Sequence, residues 1–294
     1  MKIIKQILFT AAAIFSVAVF AQNPIVVSVS PAPVSMDTQH SFVVIIPGAE
    51  LKETKKNWLQ YLAKGSEGDA SETNGNNLQI GVVNGNVSAT PFNVSSRMIE
   101  TNEGVRLNAW LDPNIAATTP NSGRHLAMQK YVYDFAVQEY RVAVAKDIKE
   151  AENKLEELEK QLAAMIKNEE KLIKSVNTND RANSRSDDAM LANNNDIKSS
   201  SEKISEQKDM VNYTAADANA NKGAKKTLEE MKDGKKDLQR DNEKREKRIE
   251  KRNKENRASD RSTELSQEAQ RAKTSEIEQQ KAVIVALKVK FDKI

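Results

Sequence analysis

No cysteine occurs among the 294 residues, which excludes disulfides, thiolate metal ligands and thiol nucleophiles. Histidine is nearly as scarce: His40 and His125 are the only two, and neither has a partner at ligand spacing, so neither a zinc-type site nor imidazole acid/base chemistry is expected. No phosphate-cradling Gly loop or nucleophile elbow is present, and Asp187-Asp188 lacks the Asx/Gly pattern of a calcium loop. These absences point to no catalysis, no cofactor and no metal. Aromatic residues make up only 5%, most of them before residue 141, against 30% charged residues. Two regions of different physics follow from that asymmetry. With 45 basic and 42 acidic residues, the balance offers no electrostatic case for nucleic acid or acidic lipid.

One long apolar run is present, Ile7 to Phe20, preceded by Lys2 and Lys5 and followed by Ala21-Gln22. Its layout is that of a cleavable secretory signal over residues 1–21, and it is shorter than the roughly 20 residues that span a bilayer. Without a cysteine at the junction the lipoprotein route is closed. Cutting at Ala21-Gln22 removes two lysines and lowers the formal charge from +3 to +1. A periplasmic or secreted protein with no membrane span is expected.

Residues 22–118 read as a small head. Ser41 to Ile46 is a continuous β-branched run, expected as a strand buried on both faces. After Pro47-Gly48, Glu50 to Lys64 places Leu51, Thr54 or Lys55, Trp58, Tyr61 and Leu62 at helical spacing, with Gly65 as the stop. Gly65 to Asn77 has no periodicity and reads as a loop. Leu78–Val83, Val87–Pro91, Phe92–Ile99 and Val105–Trp110 then read as short strands, with Asn84-Gly85-Asn86 and Asn102-Glu103-Gly104 supplying turn residues. One helix on a mostly antiparallel sheet is the natural solution; Trp58 and Trp110 read either as exposed binding anchors or as core, and their amphipathic spacing favours the core. Asp112-Pro113-Asn114 closes the region.

Residues 121–147 form an aromatic collar helix, in which Tyr131, Tyr133, Phe135 and Tyr140 lie at helical periodicity. A heptad then holds phase through Ile148, Leu155, Leu162, Val176, Met190, Ile197, Ile204 and Val211, with a second column through Val137, Val144, Ala151, Leu158, Met165 and Leu172. That second column turns polar at Asn179, Ser186, Asn193, Ser200, Gln207 and Thr214. Past Gly223 another phase opens with Leu228 and Ile249 and ends with Ile277, Ile284 and Phe291, accompanied by Leu287 and Ile294. The two phases mirror each other about Gly223. An antiparallel hairpin of arms 148–222 and 223–294 is therefore expected, with Leu155 against Phe291 and Leu162 against Ile284. Charge agrees, since residues 180–217 hold five basic and eight acidic side chains while 241–261 hold nine and six. The composition of 177–201 and 232–276 is that of polar, disorder-prone segments. The basic stretch Asp241 to Arg261 carries interspersed acids and i,i+4 pairs, which reads as a solvated helix face and not a nucleic-acid patch.

The expected fold class is thus α+β: a small N-terminal head of one helix on a mostly antiparallel sheet, followed by a long α-helical coiled-coil hairpin stalk. The succession of leader, SFVVIIPGAE, the WLQYLAK helix, a hairpin-rich stretch ending VRLNAWLD, the YVYDFAVQEY collar and a long polar coiled coil resembles uncharacterised exported proteins of Bacteroidota. That resemblance implies secretion and architecture and brings no site residues with it. The functional expectation is an exported structural and interaction protein with an unidentified protein partner, and a parallel seam would make it a homo-oligomer. A β-containing body with long helical arms also resembles the general plan of the Skp family of periplasmic holdase chaperones, although here the head is entirely N-terminal. A third reading is a ligand-binding head, in which the 65–77 loop closes over Trp58 and Tyr61.

Overall fold

The computed structural model describes residues 24–34, 37–64, 71–73, 76–88, 90–111 and 123–294. The leader at 1–21 and the Asp112-Pro113-Asn114 boundary lie outside them. Six strands are described: β1 (Ser28–Val34), β2 (Asp37–Pro47), β3 (Ser71–Thr73), β4 (Asn76–Val82), β5 (Phe92–Thr101) and β6 (Gly104–Leu111). They form one antiparallel sheet in the order β1-β2-β6-β5-β4-β3, with helix α1 (Leu51–Ala63) between β2 and β3.

Alternation along the strands separates two faces, as the pleat requires. Phe42, Val44 and Ile46 of β2, Phe92, Val94 and Ser96 of β5, and Val105, Leu107 and Ala109 of β6 are all buried. The intervening residues are not. Val43 and Ile45 are only half-buried, so the SFVVII run is a one-sided strand and not the two-sided one expected from its unbroken hydrophobicity. Hairpin β5–β6 turns at Asn102-Glu103 into Gly104, whose φ is +141°. A Cβ there would collide with the Ile46 carbonyl oxygen, so glycine is required on both conformational and steric grounds.

Three local readings are corrected. Val87–Pro91 is not a strand: the Asn84 carbonyl accepts from the amides of both Val87 and Ser88, and the resulting turn drops Val87 into the core. The 65–77 segment is not wholly a loop, because Ser71–Thr73 pairs with Asn76–Leu78; residues 65–70 lie outside the described part. Strand β1 was not anticipated, since Pro31 and Pro33 argue against a strand interior. It occupies the sheet edge, where a missing N–H costs no ladder bond.

The core lies between the buried sheet face and two helices. Helix α1 contributes Thr54, Trp58 and Leu62. Helix α2 (Gly123–Tyr213) contributes Met128, Tyr131, Val132, Phe135, Ala136, Tyr140 and Val144 from its first turns. Trp58 is completely buried, and its indole N–H donates to Ser96 Oγ at 2.9 Å, which satisfies the one polar atom the ring brings inside. Around it, Phe135 stands edge-on with centroids 4.7 Å apart, and Tyr61 meets Tyr131 at the same separation. The collar thus packs as expected, apart from Tyr133, which faces solvent. Trp110 does not join the core. It sits at a position of β6 alternate to Leu107 and Ala109 and is half-exposed on the opposite face; the pleat, not the hydrophobicity of the residue, decides its side.

Past Tyr213 a 3-10 turn (Thr214–Ala216) and an extended Asp217 reverse the chain into helix α3 (Ala218–Asp292). The chain divides into two compact units, one comprising residues up to Glu156 together with Glu278–Ile294, the other Glu157–Ile277. The second is a helical hairpin whose reversal lies at 214–217 and not at Gly223, which is inside α3. The physical reason is Asp217. Its carboxylate accepts from the amides of Asn219 and Ala220 at 3.0 and 3.2 Å, a helix N-cap that outweighs the modest helix-breaking tendency of a lone glycine. Asn221 then donates to the Val211 carbonyl at 2.8 Å, closing the end of α2. The segments 177–201 and 232–276 are helical throughout.

Replacing Trp58 with Ala should destabilise the first unit by about 3–5 kcal/mol, the usual cost of removing a fully buried large aromatic, whereas Trp110→Ala should cost about 1 kcal/mol or less. Urea unfolding of the two variants followed by near-ultraviolet circular dichroism measures the difference.

Candidate interaction surfaces

The seam of the helical hairpin sets a row of amides beside an apolar column in which Leu158, Ile204, Leu228 and Ile277 are buried and Leu172, Val176, Met190 and Ile197 half-buried. Asn179 Nδ2 donates to Asn256 Oδ1 at 2.9 Å, and Asn256 Nδ2 donates to Asp180 at 2.7 Å. Asn183 donates to Asn253 at 2.8 Å while accepting from Arg252, whose guanidinium also reaches Ser186 Oγ. Asn193 donates to both Asp241 and Asn242, and Asn242 donates to Asn194. Nearer the reversal, Gln207 donates to the Ala224 carbonyl. Asn183, Ser186, Asn242 and Asn256 are buried, so each such bond replaces one to water and leaving any half unpaired would be costly.

Heptad reasoning identified the columns and misplaced their register. A reversal at Gly223 would set Asn183 opposite Thr263, yet its partner is Asn253. Stepping three heptads from the Asn179–Asn256 pair, back along α2 and forward along α3, brings Leu158 level with Ile277, and both are buried. Leu162 and Met165 are half-buried in the same unit. In the first unit Gln280 donates to the Ala151 carbonyl at 2.9 Å and Lys288 pairs with Glu152 at 2.8 Å. Phe291 therefore does not meet Leu155. It packs, with Ile148 and Ile294, against the core of the head. Ile284 is buried and Leu287 and Leu155 half-buried, all within the first unit, whereas Leu162 belongs to the second.

Glu169 and Asn183 are positions that the apolar heptad skipped. Both make bonds between the arms: the Glu169 carboxylate accepts from Gln267 at 2.8 Å and from Gln270. The signal that could have found them is asparagine or glutamine recurring at heptad spacing on both arms. Along the hairpin's outer sides, Leu191, Leu265, Met210 and Tyr213 are exposed, the last by 88%.

In the first unit, one carboxylate is buried against the head. Glu139 lies on α2 facing α1, where both of its oxygens accept from Asn57 Nδ2, at 3.1 and 3.0 Å. Burial raises its pKa above the ordinary carboxylate value; the Asn57 bond opposes the rise and the negative charge of Glu53 adds to it. Asp147 is also raised, chiefly by burial, with the nearby Lys290 pulling the other way. Burial pushes up the phenols of Tyr61 and Tyr131 as well. Asp241, in the second unit, is lowered by its bonds from Arg245 and Asn193.

Of the two histidines, His125 is buried with its ring 5.0 Å from that of Phe42; the His40 side chain lies outside the described part. Among the described residues no group of three or more His, Asp or Glu side chains is placed to hold a metal ion. The Trp58 ring, fully buried, presents no face to a ligand, whereas Tyr61 beside it is half-buried. The open face of the sheet carries Val43 and Ile45 of β2, Arg106, Asn108 and Trp110 of β6, and Ser95, Arg97 and Ile99 of β5. No protein-family model, curated protein or solved structure matches the chain.

Two outcomes follow from this geometry. Cysteines introduced as Asn183→Cys and Asn253→Cys should crosslink within one chain with a short bismaleimide, while Asn183→Cys with Thr263→Cys, the register of a turn at Gly223, should not; gel mobility under denaturing conditions distinguishes them. For Glu139 the sign is set by its raised folded pKa. As pH rises past the ordinary value the unfolded chain loses this proton before the folded one does, so stability falls until the folded group also ionises and is level beyond. Glu139→Gln should lack that component. The unfolding midpoint of the variant relative to the native chain should rise from pH 4 to 7, measured by urea titration at unit pH steps.

Proposed function

We propose that this chain is an exported structural and interaction protein, and that its helical hairpin is the contact surface for a protein partner. The observation that carries the reading is the seam. A hairpin spanning Glu157–Ile277 is held in one register by directional amide bonds, beside an apolar column in which Leu158, Ile204, Leu228 and Ile277 are buried and the other large residues only half-buried. Such a body keeps its alignment without a thick core and leaves its outer sides free, which suits it to display contacts and not to enclose a reaction. Leu191 and Leu265, both more than 60% exposed, are apolar side chains that do nothing for the hairpin itself. Export is supported by the Lys2, Lys5 and Ile7–Phe20 pattern with a cut at Ala21-Gln22, giving a periplasmic or secreted product. No helix among the described residues is long and apolar enough to cross a membrane.

A holdase is the second reading, favoured by the scatter of exposed apolar side chains at Leu191, Met210, Tyr213 and Leu265, which could take hold of many unfolded chains weakly. A photoreactive residue in place of Leu191, and separately of Leu265, separates the two in the native cell. A dedicated partner gives one discrete adduct on a denaturing gel. A ladder of unrelated adducts, coupled with suppression of aggregation of an unfolded outer-membrane protein by the purified chain, selects the holdase. Absence of any adduct at both positions overturns the hairpin as a contact surface.

A further inference from the structure

We propose that the open face of the head's sheet binds an acidic polysaccharide, with a sugar ring stacked on Trp110 and sugar carboxylates held by Arg97 and Arg106. The inference goes beyond the hairpin contact proposed above and stands without it. It begins from the registers. Asn108 of β6 is paired with Val43 on one side and Arg97 on the other, Arg106 with Ile45 and Ile99, and Trp110 with Ser95. Residues paired across neighbouring strands share a face, so these eight residues form a continuous patch on the side of the sheet away from α1. None of them joins the core cluster.

Two features of the patch serve no purpose in the fold. Arg97 and Arg106 are diagonal neighbours on adjacent strands, two like charges within reach of one another, and both are exposed. Across the central strands, over residues 41–47, 92–101 and 104–111, this face carries no carboxylate to neutralise them. The second feature is Trp110, a large aromatic on the solvent side, ringed by the hydrogen-bonding residues Asn108 and Ser95. An aromatic plane bordered by small polar groups matches the alternation of C–H faces and hydroxyl edges on a sugar ring. Two guanidinium groups on the same face, Arg97 diagonal to Trp110 and Arg106 one step beyond Asn108, offer carboxylate sites along an extended polymer, and guanidinium is the group best shaped for bidentate carboxylate contacts. Along β6, Arg106, Asn108 and Trp110 follow each other at about 7 Å and adjacent strands lie about 4.8 Å apart, a flat lattice on which an extended chain can lie. A second copy of this protein is disfavoured as occupant, because a two-fold pairing of these faces would bring four arginines together without a counter-charge.

Isothermal titration calorimetry of the mature chain tests the proposal with oligogalacturonate as probe, its methyl ester as the uncharged form of the same sugar, and polyglutamate as an acidic polypeptide. Oligogalacturonate should bind. Esterification, the double variant Arg97→Gln/Arg106→Gln, and Trp110→Ala should each weaken binding by about tenfold or more, with the circular dichroism spectrum unchanged; Trp110→Phe, which keeps a stacking plane, should retain most of it. No binding at millimolar sugar, binding that survives Trp110→Ala, or equal binding of polyglutamate would each overturn it, the last in favour of an acidic polypeptide. None of these results touches the photo-crosslinking outcome at Leu191 and Leu265, so the two proposals fail separately.

Discussion

Asparagine paired with asparagine across two helices is the constraint on which the second unit depends. A leucine seam tolerates sliding by a heptad, since one apolar side chain replaces another at little cost. An amide seam does not. If Asn183 moved from Asn253 its amide would lose the bonds to Asn253 and from Arg252, and because Asn183 is buried that loss is expensive. Polar residues inside a helical pair therefore trade net stability for a single alignment, the role best attested for buried asparagine. Because the partners differ along the row, amide to amide at 179, 183 and 193 and carboxylate to amide at 169, no displaced register satisfies them all.

The first unit rests on the opposite economy. Trp58, on α1, is enclosed by the sheet and the opening turns of α2, with the rings of Tyr61, Tyr131 and Phe135 against it and Ser96 meeting the single N–H. Around this plug the polar groups are few and specific, Glu139 with Asn57 and Gln129 with the Val27 carbonyl. Phe291, in the last turn of α3, and Ile294, just past it, pack against the same core.

Much of this organisation was readable from residue order. Heptad spacing gave both seam columns, the 50–64 pattern gave α1 almost to the residue, and the β5–β6 hairpin followed from Asn102-Glu103-Gly104 between alternating runs. What was misread shares a physical cause: periodicity reports which residues share a face, not what stands opposite or how far along. Register needed the location of the reversal, and there the side chain of Asp217 counted for more than the backbone freedom of Gly223. Amphipathic spacing sets Trp110 in the core, but its parity on β6, alternate to Leu107 and Ala109, puts it on the opposite face. The polar column from Asn179 to Thr214 looked like a weakening of the seam, and its pairing was hidden because amide partners are recognised only once the two arms are aligned.

The scarcity of apolar surface in the amide seam also has a thermal consequence. Heat capacity on unfolding rises with the apolar area exposed and falls with the polar area, so the hairpin should contribute far less of it per residue than the aromatic head. Its stability curve is then shallow, set by hydrogen bonds whose strength changes little between cold and warm water. The head, by contrast, follows the steep dome of a hydrophobic core and weakens on cooling. A single chain thereby joins two bodies with different temperature responses, and the alignment of the arms is the property that persists when hydrophobic cohesion is at its weakest.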